Sequence, residues 1–400
     1  MLTQRGRLLL LLGGALYVAA WAFGSNALYP VAVGFLLIVL VAAVSVHAAA
    51  RPMAYRRRSG AGEQVEGDDV VVDVELVPSG FLGLTSATVV ERIAKLGERD
   101  IPLESTGGRL RGRYVLESVR RGRYGVDEAA VVVEDPFGLE RARVPLTPQG
   151  AFLVLPRLVE LDVLFSESGT HSHDGRRLLL RRASGFDVHS VREYEEGESL
   201  RKVHWKTTAR RGRLMVKELQ DEPRDEVAIL LDGDASAVAG GSFDAQVRAA
   251  GSLLRAQARR DRRAVLVVNS LRQELVRVQT FSGDWRQALE MLAAVEPTGR
   301  VSLAALLSDE ASPAGRAFEL IVVTARLSST LVERIVHRSL AQRHVSVVFV
   351  DAPTFAGGRA SREPALLKLQ ASGVPVAVVR EGEDLAASLS GGVAREAAGA

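Results

Sequence analysis

The chain has 400 residues, of which 25% are charged and 47% are hydrophobic, and its formal net charge is +3. This length predicts two or three domains. The near balance of charges excludes a polycationic protein, so an anion-binding surface has to arise from local clustering of basic residues. The absence of cysteine excludes disulfide bonds and thiolate metal sites.

Two apolar runs near the N-terminus predict a transmembrane helical hairpin within residues 1–58, with helices at 8–23 and 27–50. A bilayer core of about 30 Å is crossed by about 20 helical residues, which the second run provides. The first run is shorter, and Arg5 and Arg7 could compensate by extending their side chains to the membrane surface. A cleaved signal peptide is the alternative, but the second apolar run stands where polar mature sequence would begin.

Basic residues flank both sides of this predicted hairpin. Arg5 and Arg7 precede it, and Arg51 and the arginines at 56–58 follow it. Because cytoplasmic segments next to membrane helices are enriched in Lys and Arg, both ends of the hairpin are expected on the cytoplasmic side. The sequence therefore predicts a multi-pass cell-membrane protein whose soluble domains lie in the cytoplasm.

Residues 63–160 are expected to form a β-sandwich-like domain. Val70, Val72, Val74 and Leu76 alternate with other residues at the period of two that a half-buried strand has. Further strands are predicted at 87–93, 113–119, 129–134 and 152–155. Glycine- and proline-containing turns separate these runs, and this spacing favours a small antiparallel sandwich or barrel.

The tetrapeptide Arg-Gly-Arg-Tyr occurs twice in this region, at 111–114 and at 121–124. One interpretation is a binding repeat. The favoured alternative is structural, with two strands that each pack a tyrosine, Tyr114 or Tyr124, towards the interior.

Residues 161–226 form a signature linker region that is dense in polar and aromatic residues. Between Glu198 and Glu218 there are seven basic residues and no acidic one, and the pair His204-Trp205 lies among them. A structural role, with Trp205 packed against apolar neighbours, and a partner- or lipid-binding role are both consistent with this pattern. Catalysis with His204 as general base is less favoured, because no nucleophile motif, phosphate-binding loop or zinc motif accompanies it. No nucleic-acid recognition fold is recognisable either.

Residues 227–380 alternate near-continuous apolar runs with amphipathic helical patterns. Strands are predicted at 227–231, 264–268, 320–323, 345–350 and 376–379. Continuous apolar runs are typical of parallel strands covered on both faces, and the alternation predicts a doubly wound α/β domain. Residues 275–279 are expected to add a hairpin, and 381–400 to form a flexible tail.

The signature region has an ordered set of residues that resembles one known family. These residues are Arg192, Glu193, Tyr194, Gly197, Glu198, Arg201, His204, Trp205, Ala209, Arg210, Leu214, Val216, Lys217 and Glu218. Their order resembles the signature of the bacterial family called domain of unknown function 58, which usually has Asp at the position of Glu198. The predicted binding and signature residues are Arg192, Tyr194, Gly197, Arg201, His204, Trp205, Ala209, Arg210, Lys217 and Glu218.

This resemblance implies an architecture and partners rather than an activity. It implies a membrane-anchored protein whose C-terminal α/β domain is similar to von Willebrand factor A domains. It also implies association with a MoxR-type AAA+ ATPase, and in some cases with a transglutaminase-like membrane protein.

The segment Asp232-Gly233-Asp234-Ala235-Ser236 follows the first predicted strand of the α/β domain, where sites form in open sheets. It resembles the metal-ion-dependent adhesion motif Asp-x-Ser-x-Ser, in which loop oxygens hold Mg²⁺ and the metal accepts a carboxylate from a partner. Asp232, Asp234 and Ser236 would be the ligands. However, Asp replaces the first Ser, and Thr324 stands where the motif expects an acid. The alternative is a local turn stabilised by aspartate side chains.

Together these features predict a cytoplasm-facing adaptor or scaffold without enzymatic activity, which docks partners around Asp232. No catalytic residue is assigned, and Mg²⁺ is the only cofactor considered. Two alternatives stay open. One is a metal-assisted hydrolase that uses Asp232, Asp234 and His204, and the other is an anionic-lipid-binding module that uses the basic run 201–217.

Overall fold

The computed structural model describes residues 1–60, 62–78, 85–106, 108–148, 150–166, 190–193, 203, 205–218 and 226–391. The chain divides into two compact units, Met1–Leu155 and Pro156–Ala400. Each unit has its own hydrophobic core.

Unit 1 begins with helices α1 (Gln4–Phe23) and α2 (Leu28–Ala49). The Thr3 side chain caps α1 by accepting a hydrogen bond from the Gly6 N–H. Gly24 ends α1 in the left-handed conformation, with φ of 63°, which glycine adopts without steric strain. By length and composition both helices could span a membrane. Only 17% and 22% of their most apolar windows are buried, so neither resembles the core helix of a soluble domain.

The start of α1 is attached to a loop of the β part of unit 1. The Thr3 N–H donates to the Leu139 carbonyl at 2.9 Å, and the Thr3 hydroxyl donates to the Gly138 carbonyl at 2.6 Å. The buried Asp135 carboxylate holds this loop by accepting three backbone N–H groups from residues 137–140. The helical pair therefore joins the β part through directional hydrogen bonds as well as through the chain itself.

The β part of unit 1 consists of two sheets. Its strands are β1 (Met53–Ser59), β2 (Gln64–Val65), β3 (Val70–Pro78), β4 (Ser86–Ile93), β5 (Gly97–Pro102), β6 (Glu104–Thr106), β7 (Arg109–Leu116), β8 (Gly122–Glu134), β9 (Arg141–Leu146) and β10 (Ala151–Leu155). One sheet has the order β1-β3-β7-β6, and the other has the order β2-β10-β8-β4-β5, with β9 also paired to β8. Val72 and Leu76 from the first sheet and Val89 and Val131 from the second belong to one hydrophobic core.

A buried ion pair lies within this core. The Arg57 Nε is 3.3 Å from Glu91 Oε2, and the two side chains are 1% and 0% exposed. The hydroxyl groups of Tyr55 and Tyr114 also donate to the Glu91 carboxylate, and burial raises the pKa of both tyrosines above its ordinary value. Tyr124 is itself only 3% exposed. The tyrosines of both Arg-Gly-Arg-Tyr repeats therefore serve packing, as the structural interpretation predicts.

Unit 2 contains the signature region and a larger α/β sheet. Its elements are β11 (Ser190–Glu193), α3 (Trp205–Arg211), β12 (Met215–Glu218), β13 (Val227–Asp232), α4 (Ser242–Arg259), β14 (Ala264–Asn269), β15 (Leu275–Val278), α5 (Phe281–Ala294), α6 (Leu303–Ser308), α7 (Pro313–Arg316), β16 (Glu319–Thr324), α8 (Ser329–Leu340), β17 (His344–Val350), α9 (Pro364–Ala371), β18 (Val376–Val379) and α10 (Leu385–Leu389). Short 3₁₀ segments follow β13 and β17, at Ala235–Ala237 and Ala352–Ala356. Leu161, Leu164 and Phe165 are buried in the core of this unit.

The main sheet of unit 2 has the strand order β15-β14-β13-β16-β17-β18. All neighbouring strands are parallel except β15, which pairs antiparallel with β14 and corresponds to the hairpin strand predicted at 275–279. Every residue of β13 and β14 is buried, as their continuous apolar runs predict. Ile229 and Leu230 of β13 belong to different core clusters, so the sheet is covered on both faces.

The order of the strands creates a crevice between β13 and β16. The chain leaves β13 towards β14 on one side of the sheet, and it leaves β16 towards β17 on the other side. In open α/β sheets such a reversal of strand order separates the connections at the carboxyl ends, and ligands bind there. Asp232 is the last residue of β13 and Thr324 is the last residue of β16, so both lie at this reversal.

Candidate functional site at the carboxyl edge of the sheet

The structure describes six of the ten predicted signature residues, and they lie on β11, α3 and β12. These are Arg192 on β11, Trp205, Ala209 and Arg210 on α3, and Lys217 and Glu218 on β12. Strands β11 and β12 pair antiparallel, with Ser190 opposite Glu218 and Arg192 opposite Val216. Tyr194, Gly197, Arg201 and His204 lie outside the described residues. The two ends of the signature are therefore neighbours in one small sheet.

Helix α3 exposes an aromatic side chain together with several cations. Trp205 is 64% exposed, and Lys206, Arg210 and Arg211 are exposed as well. No residue of this helix is buried. This exposure does not support the interpretation in which Trp205 packs against apolar neighbours, and among the described residues it leaves the indole available for contact with a partner or a lipid surface.

Asp232 is buried at the end of β13, with 5% of its surface exposed. Its Oδ1 accepts hydrogen bonds from the Asp234 N–H at 3.1 Å and from Asn269 Nδ2 at 3.3 Å. Its Oδ2 accepts a hydrogen bond from Thr324 Oγ1 at 2.7 Å. Because Asn269 ends β14 and Thr324 ends β16, one carboxylate joins the carboxyl ends of three neighbouring strands.

The loop after β13 is held by its own side chains and by Arg326, which follows β16. The N–H and the hydroxyl of Ser236 donate to Asp234 Oδ1 at 2.9 and 2.7 Å. Arg326 Nη1 donates to Asp234 Oδ2 at 3.2 Å and to Ser236 Oγ at 3.0 Å, and its Nη2 donates to the Ser236 carbonyl at 2.7 Å. This arginine therefore joins the segment after β16 to the loop after β13.

The two aspartates have pKa values displaced in opposite directions. Burial raises the pKa of the Asp232 carboxyl above its ordinary value, and the hydrogen bonds from Thr324, Asp234 and Asn269 offset only part of this effect. Partial burial also acts to raise the pKa of Asp234. In that case the hydrogen bonds from Ser236 and the charge of Arg326 outweigh burial and hold the pKa below its usual value. Asp234 is thus the carboxylate that keeps its charge most readily.

Two glycines allow the loop backbone to approach β14 closely. A Cβ on Gly233 would lie 2.1 Å from the Asn269 carbonyl oxygen, and one on Gly299 would lie 2.3 Å from the same atom. The Gly299 N–H donates to the Gly233 carbonyl at 2.7 Å. Asn269 Nδ2 also donates to the Val301 carbonyl at 2.7 Å, whereas the buried Asn269 Oδ1 has no hydrogen-bond partner among the described atoms. This side of the crevice is closely packed and has an unsatisfied acceptor, which is costly when buried.

The predicted metal ligands come together, but their surroundings do not fit a divalent cation. Both oxygens of Asp232 accept hydrogen bonds, and Arg326 occupies Asp234 Oδ2 and both oxygens of Ser236. Mg²⁺ requires oxygen ligands at about 2.0–2.1 Å in octahedral geometry, and a guanidinium beside it would repel it. No group of three or more His, Cys, Asp and Glu side chains that could hold a metal occurs in the described part of the chain. The loop has the geometry of the alternative, a turn stabilised by aspartates.

Asn269 and Arg326 are site residues that the sequence motifs do not predict. Asn269 is a polar residue at the carboxyl end of β14, an otherwise apolar strand next to β13. Its position could have been recognised from the sequence if β14 had been assumed to lie beside β13. Arg326 lies two residues beyond the end of β16, and its role depends on the direction in which the chain turns. From the sequence, Thr324 is only a departure from the metal motif. In the structure its hydroxyl donates a hydrogen bond to the Asp232 carboxylate.

A second buried aspartate follows β17, the strand next to β16, at the same edge of the sheet. Asp351 is 1% exposed and accepts hydrogen bonds from the Ser361 N–H at 3.0 Å and from the Ser361 hydroxyl at 2.7 Å. Arg380 pairs with the same carboxylate at 3.4 Å. Asp351 thus resembles Asp232 in being buried and fixing a loop, but its arginine pairs directly with the buried carboxylate, whereas Arg326 pairs with Asp234.

Comparison with known proteins gives one informative match, which is to a family. Residues 190–353 match a family described as "Protein of unknown function DUF58". The matched range contains β11, α3, β12 and the whole cluster around Asp232. No curated protein matches the sequence.

Similarities to solved structures are weak. The uncharacterized protein lmo2446 from Listeria monocytogenes EGD-e is 11% identical over 27% of this chain and 10% of its own, with a TM-score of 0.19. Cwp6 from Clostridium difficile is 8% identical over 82% of this chain and 37% of its own, with a TM-score of 0.20. The alkylpurine DNA glycosylase AlkC from Pseudomonas fluorescens is 12% identical over 32% of this chain and 42% of its own, with a TM-score of 0.16.

This chain thus spans a tenth of the length of the first of these proteins and less than half of the other two. TM-scores this low support no conclusion about fold or function. The family match over residues 190–353 agrees with the resemblance of the signature residues to the same family of proteins of unknown function.

Proposed function

We propose that this protein is a membrane-anchored adaptor or scaffold that docks a protein partner at the carboxyl edge of its α/β sheet. The observation that carries the proposal is the cluster at the reversal of strand order. Asp232 is buried and joins three strand ends, while Arg326 and the loop around Ser236 form an exposed rim beside it. A rim held in one conformation by buried hydrogen bonds suits recognition, because little freedom is lost when a partner binds.

The same cluster favours binding over catalysis. The hydrolase alternative requires Asp232 or Asp234 as a metal ligand or general base, yet hydrogen-bond donors already occupy their carboxylates. A general base needs a carboxylate oxygen that can reach the proton of a substrate. We expect no turnover in a broad hydrolase screen with or without Mg²⁺ or Mn²⁺. Activity that disappears in an Asp232→Asn variant would instead support the enzyme.

Two features of the architecture belong to this proposal. A von Willebrand factor A-like α/β domain is supported by the family resemblance and by a parallel sheet with an antiparallel strand, β15, at one edge. A β-sandwich-like domain in unit 1 is supported by two sheets that contribute to one hydrophobic core. In this scheme the β-rich domain links the membrane anchor to the docking domain along the chain.

The membrane anchor and its orientation are proposed from α1, α2 and the flanking arginines. The absence of cysteine makes the topology directly testable, because single-cysteine variants can be labelled without background. Ser25→Cys, between the helices, should react with a membrane-impermeant maleimide in intact cells. Ser390→Cys, near the end of α10, should react only after the cells are opened. The opposite pattern would place the soluble units outside the cytoplasm.

The partner implied by the family resemblance is a MoxR-type AAA+ ATPase, and a transglutaminase-like membrane protein is a further candidate. Docking can be tested by crosslinked affinity capture of the full-length protein from its native membrane, read by mass spectrometry. Ala235 is exposed on the loop after β13, so Ala235→Trp adds bulk there without removing a contact. Ala311→Trp, at an exposed alanine ahead of β16, is the matched control.

The adaptor predicts that the ATPase is recovered with the wild type and with Ala311→Trp but is lost with Ala235→Trp. Equal recovery with both variants would place the docking surface elsewhere on the protein. Recovery of no protein partner by the wild type would count against the adaptor itself.

The exposed Trp205 favours one second candidate, an anionic-lipid-binding surface formed by α3 and the basic run. Tryptophan at a bilayer surface and neighbouring cations both contribute to such binding. A variant that retains only Trp205, made by Trp21→Phe and Trp285→Phe, can be placed in nanodiscs with brominated lipid. Quenching of its fluorescence by brominated phosphatidylserine, reduced at high salt, would support this function. Equal emission with and without brominated lipid would exclude it.

A further inference from the structure

The crevice at the end of β13 holds a permanent cation where a metal ion would be expected. Arg326 donates three hydrogen bonds to oxygens of Asp234 and Ser236, two of the three residues that the motif resemblance assigns to Mg²⁺. Arginine keeps its positive charge in proteins. The positive charge at this position therefore does not depend on the supply of a metal.

Part of the Arg326 guanidinium is exposed to solvent, and some of its N–H donors are not used. The Arg326 side chain is 51% exposed. Three of its five N–H groups are used, and the Nε–H and one Nη2–H have no acceptor among the described residues. These two N–H groups lie side by side on one edge of the planar group, which is the arrangement that binds both oxygens of a carboxylate.

We propose that Arg326 binds an acidic side chain, Asp or Glu, of a protein partner, and that this contact needs no divalent metal. The inference rests on the proposed docking function and specifies the chemistry of its partner. Asp234 and Ser236 hold one edge of the guanidinium, so the opposite edge is already oriented when the partner arrives.

The charges of the site also determine how such a partner is recognised. Asp234 balances the charge of Arg326, and their ion-pair distance is 3.2 Å. A pair with no net charge exerts little long-range attraction, so recognition depends on the short, directional hydrogen bonds of the free edge. An isolated carboxylate in solution will therefore bind weakly, and a peptide with several acidic residues is the better probe.

The metal part of the proposal can be tested with Mn²⁺ alone. We expect the full-length protein in detergent to show no Mn²⁺ binding that depends on Asp234, measured by electron paramagnetic resonance. Binding at sub-millimolar Mn²⁺ that is lost in an Asp234→Asn variant would overturn the inference.

The carboxylate part can be tested with a fluorescein-labelled hexaglutamate peptide, followed by fluorescence anisotropy at fixed ionic strength. We expect binding that EDTA leaves unchanged and that Arg326→Gln weakens at least fivefold. The affinity of Arg326→Lys should lie between those of the wild type and Arg326→Gln, because lysine keeps the charge but lacks two adjacent N–H donors in one plane. Arg334→Gln, at an exposed arginine of α8, is the matched control and should bind like the wild type.

Hydrogen exchange of β16 peptides at wild-type rates confirms that the Arg326 variants are folded. Wild-type affinity in Arg326→Gln, or loss of wild-type binding in EDTA, would overturn the inference. If the ATPase is lost from Ala235→Trp while Arg326→Gln binds peptide normally, docking stands and the carboxylate site falls. If peptide binding depends on Arg326 while Ala235→Trp still captures the partner, the carboxylate site stands and the docking proposal falls.

Discussion

Replacement of Thr324 by valine isolates the hydrogen bonds that join β13 to β16. Thr324 is fully buried, and its hydroxyl donates to Asp232 Oδ2 at 2.7 Å and accepts the Arg326 N–H at 3.0 Å. Valine has nearly the same shape and the same preference for a strand, so the substitution removes these bonds without creating a cavity. The cost of the substitution therefore measures how strongly the hydroxyl holds the crevice together.

The size of the effect follows from the two bonds that are lost. A hydrogen bond to a charged group contributes about 1.5–3 kcal/mol, and a neutral one contributes about 0.5–1.5 kcal/mol. Thr324→Val should therefore lower the local stability of unit 2 by about 2–4.5 kcal/mol at neutral pH. Since about 1.36 kcal/mol is a factor of ten, amide exchange in β13 and β16 should accelerate by about 30-fold to 2,000-fold.

The effect should also depend on pH, because Asp232 titrates. Burial raises the folded-state pKa of Asp232 above the ordinary 3.8. In the window above 3.8 the folded state therefore binds more protons than the unfolded state, and the contribution of this group to stability falls as pH rises. The Thr324 hydrogen bond lowers this pKa, so its removal extends the window upwards. Thr324→Val should consequently be more destabilising above the pH range in which Asp232 titrates than below it.

Hydrogen exchange measured by mass spectrometry on the full-length protein in detergent resolves these peptides individually. Rates at two pH values, one below and one above the range in which Asp232 titrates, are compared after correction for intrinsic chemical exchange. Thr330→Val, at an exposed threonine of α8, should leave β13 and β16 unchanged. In an Asp232→Asn background the dependence on pH should disappear. Unchanged exchange in Thr324→Val, or equal destabilisation at the two pH values, would refute the role given to the Asp232–Thr324 bond.

Two further substitutions test other buried features by the same exchange measurement. Gly233→Ala would place its Cβ 2.1 Å from the Asn269 carbonyl oxygen, and overpacking against backbone should cost about 3 kcal/mol or more in β13 and β14. Gly241→Ala, where nothing lies within 4 Å of the added Cβ, should cost less than about 1 kcal/mol. Glu91→Gln leaves Arg57 buried without a counter-charge and should destabilise β4 by about 3–5 kcal/mol, while Arg57→Met in the same chain should recover part of the loss.

The hydrophobic pattern of the sequence predicted the strands that bury several side chains and missed strands that bury few or none. Val70, Val72, Val74 and Leu76, the alternating residues of β3, are all buried, and the apolar runs of unit 2 correspond to β13, β14, β16, β17 and β18. Strands β5 and β6 were not predicted. β5 buries one residue of six and β6 buries none, so neither has a pattern to detect.

Arg57 shows how composition can mislead. It lies in an arginine run just beyond the second apolar segment, and this position predicts one of the cytoplasmic charges that flank the membrane helices. In the structure it is an interior residue of β1 and forms the buried ion pair with Glu91. Its partner is 34 positions away, in a different sheet. No local pattern indicates such a pairing, because it depends on how the two sheets pack.

The candidate site was predictable in position but not in composition. Asp232, Asp234 and Ser236 follow a buried parallel strand, and the general location of sites in open sheets was enough to select them. Asn269, Thr324 and Arg326 come from other strand ends, 37, 92 and 90 residues from the loop residues that they contact. Their contribution required knowledge of which strands are neighbours. That order is a tertiary property, and the sequence carries it only indirectly.

Thr324 and Arg326 together account for the charge balance of this cluster. An acid at position 324 would lie beside Asp232, and the two carboxylates would have to share a proton or be offset by a cation. Threonine at that position donates a hydrogen bond instead, and with Asn269 it stabilises Asp232 through donors alone. Only Asp234 then needs a positive charge, and the single charge of Arg326 supplies it. The hydroxyl of Thr324 and the charge of Arg326 therefore both stabilise this cluster with groups that the chain itself supplies.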